Sequence, residues 1–114
     1  TWSGLEPLTS PDGWRHFETC APITALPGGR WLAPSSYWND WQGRCPAGAH
    51  KAVVFVSDDA GRSWPRIADV MDGTAEQVAA WEQKHVVLTD GHLMALCWCY
   101  DLRSRRNMPN RYVF

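Results

Sequence analysis

The chain lacks any apolar run near the roughly 18 residues that a membrane-spanning helix needs, so no membrane span is expected. It lacks a surplus of positive charge as well. A formal net charge of −1 argues against a nucleic-acid partner. The short basic cluster Arg103, Arg105 and Arg106 reads as a solvated loop rather than a phosphate site. No secretory signal pattern opens the sequence. Cysteine is sparse, and Cys20, Cys45, Cys97 and Cys99 allow three pairings on paper. In a strand Cys97 and Cys99 share a face and are poorly placed to bond each other. No His-plus-Cys spacing completes a metal site around them, so the expectation is small buried thiols with no metal and no cofactor.

What is abundant is tryptophan. Eight Trp in 114 residues, with Gly, Pro and Asp punctuating short apolar runs, fit an all-β domain with a modest core. Residues 57–64 read Ser-Asp-Asp-Ala-Gly-Arg-Ser-Trp, which fills the pattern S-x-D-x-G-x-[ST]-W at every defined position. The physics of Ser57, Asp59, Gly61, Ser63 and Trp64 suits a hairpin turn. A carboxylate at Asp59 can take backbone N–H bonds, and Gly61 can adopt positive φ. The two hydroxyls bond locally, while Trp64 folds back as an apolar plug. The motif therefore specifies a turn, with Asp58 and Asp59 structural.

A repeat surrounds it. Thr1-Trp2 and Ser63-Trp64 lie 62 residues apart, as do Leu26 and Leu88, and Gly29 and Gly91. Pro46 to Val56 corresponds loosely to Met108 to Phe114, with a shorter second loop. On this alignment residues 1–8 belong to the end of a preceding unit, 22–70 form one four-stranded unit, and 82–114 form an incomplete second. The chain is expected to be cut from a longer array beside neighbouring turns of the same kind.

The expected strands are Pro22–Leu26, Trp31–Tyr37, Lys51–Val56 and Pro65–Val70, then Gln83–Leu88, Leu93–Tyr100 and Arg111–Phe114. Gly-Gly and Asp-Gly between such runs are strong hairpin signals. Ala52-Val-Val-Phe-Val does not alternate, as expected of a strand covered on both faces. Thr74–Lys84 is read as a loop with one helical turn, and 101–110 as a loop. In an up-and-down meander, alternate turns emerge at opposite ends. The Gly-Gly turn, the Asp-Gly turn and residues 57–64 then share one rim. Loops 38–50 and 101–110, with the linkers near 9–21 and 71–82, share the other.

That loop rim carries the candidate site. Tyr37, Trp38, Asn39, Asp40 and Trp41 end one strand, and Trp98, Tyr100 and Asp101 end its counterpart. Trp81-Glu82 lies where the next strand leaves the same rim. Aromatic faces stack on sugar C–H faces and carboxylates or amides take hydroxyls, so the set suits a glycan. Taken singly, each Trp can be a wedge between sheets, and Asp40 and Asp101 turn caps.

The 57–64 motif resembles the Asp-box of the sialidase (BNR-repeat) superfamily. Leu-Pro-Gly-Gly-Arg-Trp-Leu-Ala-Pro, Lys51–Trp64 and Trp-Glu-Gln-Lys-His-Val-Val-Leu-Thr-Asp-Gly-His-Leu-Met-Ala-Leu resemble consecutive blades of its bacterial exo-sialidase-like members. The resemblance implies an all-β, six-bladed β-propeller parent, of which this chain is about a third, and a glycoside hydrolase acting on terminal sugars. It implies Glu82 as the first catalytic or substrate-orienting carboxylate, with Asp40 and Asp101 as acid/base candidates. Tyr37, Trp38, Asn39, Trp98 and Tyr100 become substrate contacts. The family's Arg-Ile-Pro signature is absent, and Ser36 and Trp98 stand where a carboxylate-binding Arg is common. A non-catalytic glycan- or protein-binding propeller is the alternative. The resemblance favours a secreted or periplasmic setting, and open strand edges allow self-association.

Overall fold

The computed structural model describes residues 4–44 and 50–114, and within them two antiparallel sheets. The first contains β1 (Phe17–Glu18), β2 (Thr24–Ala25), β3 (Trp31–Tyr37), β4 (Ala52–Ser57) and β5 (Arg66–Met71). The second contains β6 (Val78–Val87), β7 (Leu93–Asp101) and β8 (Arg106–Val113). Neither sheet closes on itself. β1 and β2 both pair with β3, at Phe17↔Tyr37 and at Thr24↔Leu32, so together they fill one interrupted strand position. The first sheet is thus a meander of four positions. Among the described residues no helix is long and apolar enough to cross a membrane.

Three expectations need correcting. Pro22–Leu26 is not one strand, because the segment between Glu18 and Thr24 leaves β3 before β2 rejoins it. Thr74–Lys84 is not a loop. A turn closes at residues 74–77, with Gln77 N–H donating to Thr74 O at 3.1 Å, and β6 then starts at Val78. Nor is 101–110 a loop: the turn spans only 102–105, and β8 begins at Arg106. Pro109 looks incompatible with a strand, yet its neighbours Met108 and Arg111 pair with Cys99 and Cys97. Pro109 and Asn110 therefore oppose Trp98 alone, in a bulge where a missing N–H costs no ladder bond.

The repeat extends to individual hydrogen bonds. Leu26 N–H donates to Arg30 O at 2.7 Å, and Leu88 N–H donates to His92 O at 2.7 Å. Gly29 and Gly91 have φ of 85° and 87°, which a side chain would strain. Asp12 accepts from Trp14 N–H at 3.0 Å, as Asp72 does from Thr74 N–H at 2.9 Å. Ala33 pairs with Phe55 and Ala95 with Val113. The spacing of 62 on the second strand thus falls to 58 on the third, which is the shortened loop.

The core explains the unalternating β4. Val53 and Phe55 meet Ala33 and Tyr37 on one face, covered by Leu8, Trp14, Phe17, Trp64 and Ile67. On the other face Ala52, Val54 and Val56 turn towards the second sheet. Ala52 packs with Val78, Ala80, Cys97 and Cys99, while Val54 and Val56 pack with Leu32 and Leu93. Both faces are covered, so both residue parities are apolar. Cys97 and Cys99 are free and buried, and burial pushes the Cys97 thiol up to about 12. Cys20 departs from the expected burial, being free and exposed at the break between β1 and β2, and Cys45 lies outside the described residues.

The 57–64 turn has the anticipated wiring. Ser57 Oγ donates to Asp59 Oδ1 at 2.7 Å and accepts from Gly61 N–H at 2.8 Å. Asp59 also takes Ser63 N–H at 2.9 Å and Ser63 O–H at 2.7 Å. Ala60 N–H donates to Gly29 O at 3.0 Å, tying this turn to the Gly-Gly turn beside it. Asp58 pairs with Arg30 and Arg66. The bonds from Ser63 and Ser57 lower the Asp59 carboxyl from 3.8 to about 2. A folded pKa below the unfolded one gives stability that is complete above about pH 4 and is lost as pH falls towards 2. Urea midpoints measured across that window should fall more steeply in wild type than in Asp59→Asn, and parallel curves would contradict this role.

Candidate functional site

Strand register puts the ends of β3, β5 and β7 and the starts of β4, β6 and β8 on one rim. The 57–64 turn, the Gly-Gly turn and the Asp-Gly turn lie at the other. Trp81, Trp98 and Tyr100 on this rim are therefore carried by strands, while Trp38, Asn39, Asp40 and Trp41 lie in the connection that follows β3.

Trp38, just beyond β3, stacks on Trp81 of β6 with ring centroids 4.5 Å apart and planes 8° from parallel. Tyr100 stacks on Trp81 at 5.6 Å and 23°, and Trp98 tilts against it at 5.5 Å. His50 meets Trp81 edge-on at 6.0 Å. The rings thus bridge the two sheets, with Trp81 buried at their centre. Offset and edge arrangements of this kind add to area burial by about 0.5–1.5 kcal/mol per pair. Trp81 Nε1 and His50 Nδ1 have no hydrogen-bond partner among the described residues. Burial lowers the His50 pKa, so its ring is neutral.

Glu82 occupies a bulge. Trp81 pairs with Trp98 and Lys84 with Leu96, so Glu82 and Gln83 together oppose Cys97. Glu82 has φ of 49°, an uncommon conformation for a residue with a Cβ and a modest source of strain. Its N–H donates to Glu18 Oε1 at 2.8 Å, across from β1, and its own side chain is exposed. Glu18 also faces Cys20, and burial together with this carboxylate pushes that thiol up to about 11. The bulge falls opposite the same stretch of the second strand as the break between β1 and β2, so both units distort at one place.

The other two carboxylates have different work. Asp40 accepts from Gln42 N–H at 2.9 Å and Arg44 N–H at 2.8 Å, and pairs with Arg44 Nε at 2.6 Å. Desolvation opposes ionisation, but these bonds outweigh it and the pKa is lowered. Asp101 accepts from Arg103 N–H at 2.8 Å and Ser104 N–H at 3.2 Å, and bonds from Ser104 and Arg103 lower its pKa too. Both cap turns, and both are held ionised.

Tyr37 is not presented at the surface. It is buried, its O–H donates to Asp12 Oδ2 at 2.6 Å, and desolvation followed by that bond raises its pKa. Asn39 is exposed and lines a groove of about 280 Å³ with Arg15, His16, Phe17, Trp38 and Trp41. Trp41 is 93% exposed. The structure thus brings Trp38, Trp98 and Tyr100 together around Trp81, with Glu82 next to it in the chain. It places Tyr37 inside and spends Asp40 and Asp101 on turns.

Sequence reasoning did not single out Arg15, His16 or Glu18. The linker near 9–21 belongs to this rim on the sequence pattern, but nothing in that pattern shows that β1 forms at Phe17–Glu18, with Arg15 and His16 just before it. Among the described residues no group of three or more His, Cys, Asp or Glu converges as a metal site. No family model, curated protein or solved structure matches the chain.

Proposed function

We propose that the chain forms two adjacent blades of an Asp-box β-propeller of the sialidase kind, and that its loop rim takes part in recognising and cleaving a terminal sugar. One observation carries this reading: the aromatic cluster of Trp38, Trp81, Trp98 and Tyr100 adjoins a carboxylate residue held in a strained bulge. Strain is retained where surrounding contacts enforce it, and it concentrates at working sites. Trp38 and Trp41 supply apolar ring faces, and Arg15, His16 and Asn39 supply donors for hydroxyl or acidic groups. Of Glu82, Asp40 and Asp101, Glu82 alone has no turn N–H or Arg on its carboxylate among the described residues. Its role is to take a proton from the attacking water or nucleophile, or to stabilise positive charge on the reacting sugar.

The test is turnover of a panel of aryl glycosides by the protein with its neighbouring blades in place. Glu82→Gln should lower turnover at least 100-fold while glycan retention stays within about threefold, since a general acid/base group contributes about 10²–10⁴. Unchanged turnover would remove Glu82 from the chemistry. Trp38→Ala should weaken glycan retention about tenfold, because a lost stacking face removes both contact area and the brace on Trp81.

The capping of Asp40 and Asp101 favours a second reading, a propeller that binds glycans without hydrolysis. That reading predicts retention sensitive to Trp38→Ala, no turnover on any substrate, and no effect of Glu82→Gln.

A further inference from the structure

A separate cavity of about 240 Å³ lies between the two sheets, away from the aromatic rim. Leu32, Val54, Val70 and Leu93 contribute apolar walls, and Gln83, His85 and Asp69 the polar part of the lining. Phe114, 76% exposed, stands at its edge. An apolar cavity of about 150 Å³ accepts benzene, so this one holds a molecule of one or two rings. Gln83 is only 1% exposed, an unusual place for an amide.

Its hydrogen bonding is incomplete. Gln83 Nε2 lies 3.4 Å from His85 Nδ1, and His85 Nε2 lies 2.8 Å from Thr24 Oγ1. Burial lowers the His85 pKa, so the ring is neutral and carries one N–H. With Nδ1 accepting from Gln83, that N–H points to Thr24, and Gln83 Oε1 is left with no donor among the described residues. A buried carbonyl oxygen without a donor is costly, and most of the side chains that line the cavity beside Gln83 are apolar.

We propose that this cavity binds a small neutral ring compound bearing one N–H or O–H donor, its ring against the aliphatic walls and its donor on Gln83 Oε1. The unsatisfied acceptor sets the polarity of the ligand. Asp69 also lines the cavity but already pairs with Lys51 at 2.8 Å, so the site offers no unpaired charge to an ion, which would lose its hydration here.

Methyl-detected NMR titration of the chain with indole and with benzofuran, a near-isostere lacking the N–H, tests this directly. Indole should shift the methyl signals of Leu32, Val54 and Val70 and bind about tenfold more tightly than benzofuran, the discrimination of one buried hydrogen bond. Gln83→Met should bring the two within about twofold. Ala95→Leu, which fills the space beside Leu93, should abolish both while leaving rim signals in place. No shift with either compound, meaning that at most water enters, would overturn the proposal. So would equal affinities in wild type, or indole shifts confined to the aromatic rim.

Discussion

Phe55→Ala is expected to destabilise the chain by about 3–5 kcal/mol, the range for emptying an aromatic site in a packed core. Phe55 is 0% exposed and meets Phe17 edge to face at 4.9 Å and 84°. Its strand is hydrogen-bonded on both sides, to Ala33 and to Ile67, so the backbone cannot collapse into the void. Trp64 and Trp14 lose their support together with Phe17. Since a domain is typically stable by only about 5–15 kcal/mol, one substitution removes a large share. Urea unfolding followed by Trp fluorescence measures it. A loss below about 1.5 kcal/mol would mean that residues 8–17 do not cover this face. Phe17 adjoins Glu18, so the same variant should also loosen the contact that holds the Glu82 amide.

Gly73→Ala is expected to cost about 3 kcal/mol or more, the upper end of overpacking. A Cβ there would sit 2.2 Å from Val78 O and 3.1 Å from Val78 Cβ. The first is backbone and is fixed by the Val78 N–H bond to Gly73 O at 2.9 Å, so relief requires opening the turn that starts β6. Gly91→Ala supplies the comparison. Its φ of 87° is strained for alanine, but nothing lies within 4 Å of the new Cβ, so about 1 kcal/mol is expected. Equal losses from the two substitutions, measured by thermal unfolding, would show that crowding at Val78 is not the cause. The turn before β6 fixes where Trp81 stands, so Gly73→Ala should also disturb the Trp38 stack.

The regular strands were legible where turn chemistry and apolar runs coincide. β3 begins after Gly-Gly and runs from Trp31 to Tyr37 as read, and the 57–64 turn is wired as its residue types require. What escaped was set by partners. β1 is two residues long and exists because Tyr37 and Ser36 offer it a ladder. β8 tolerates Pro109 because its bulge sits opposite Trp98. Tyr37 has neighbours of both parities buried, so alternation could not tell which way its ring turns. The aromatic grouping at the rim was foreseen from repeat spacing, but the Glu18 contact to Glu82 joins residues 64 apart and leaves no local signal.

The double-sided burial of β4 has a consequence for how the chain finds its pairing. Sliding a strand by one residue normally exchanges its apolar and polar faces, and that penalty fixes the alignment. For Ala52–Ser57 the penalty is small, because either alignment buries aliphatic or aromatic groups on both sides. Discrimination must come from the end of the strand. There Ser57, Asp59, Gly61 and Ser63 can satisfy one another at only one chain position, and Ala60 reaches Gly29 only from it. The turn thus acts as the detent that stops β4 from slipping, and weakening it should populate misaligned, aggregation-prone chains before it removes much burial.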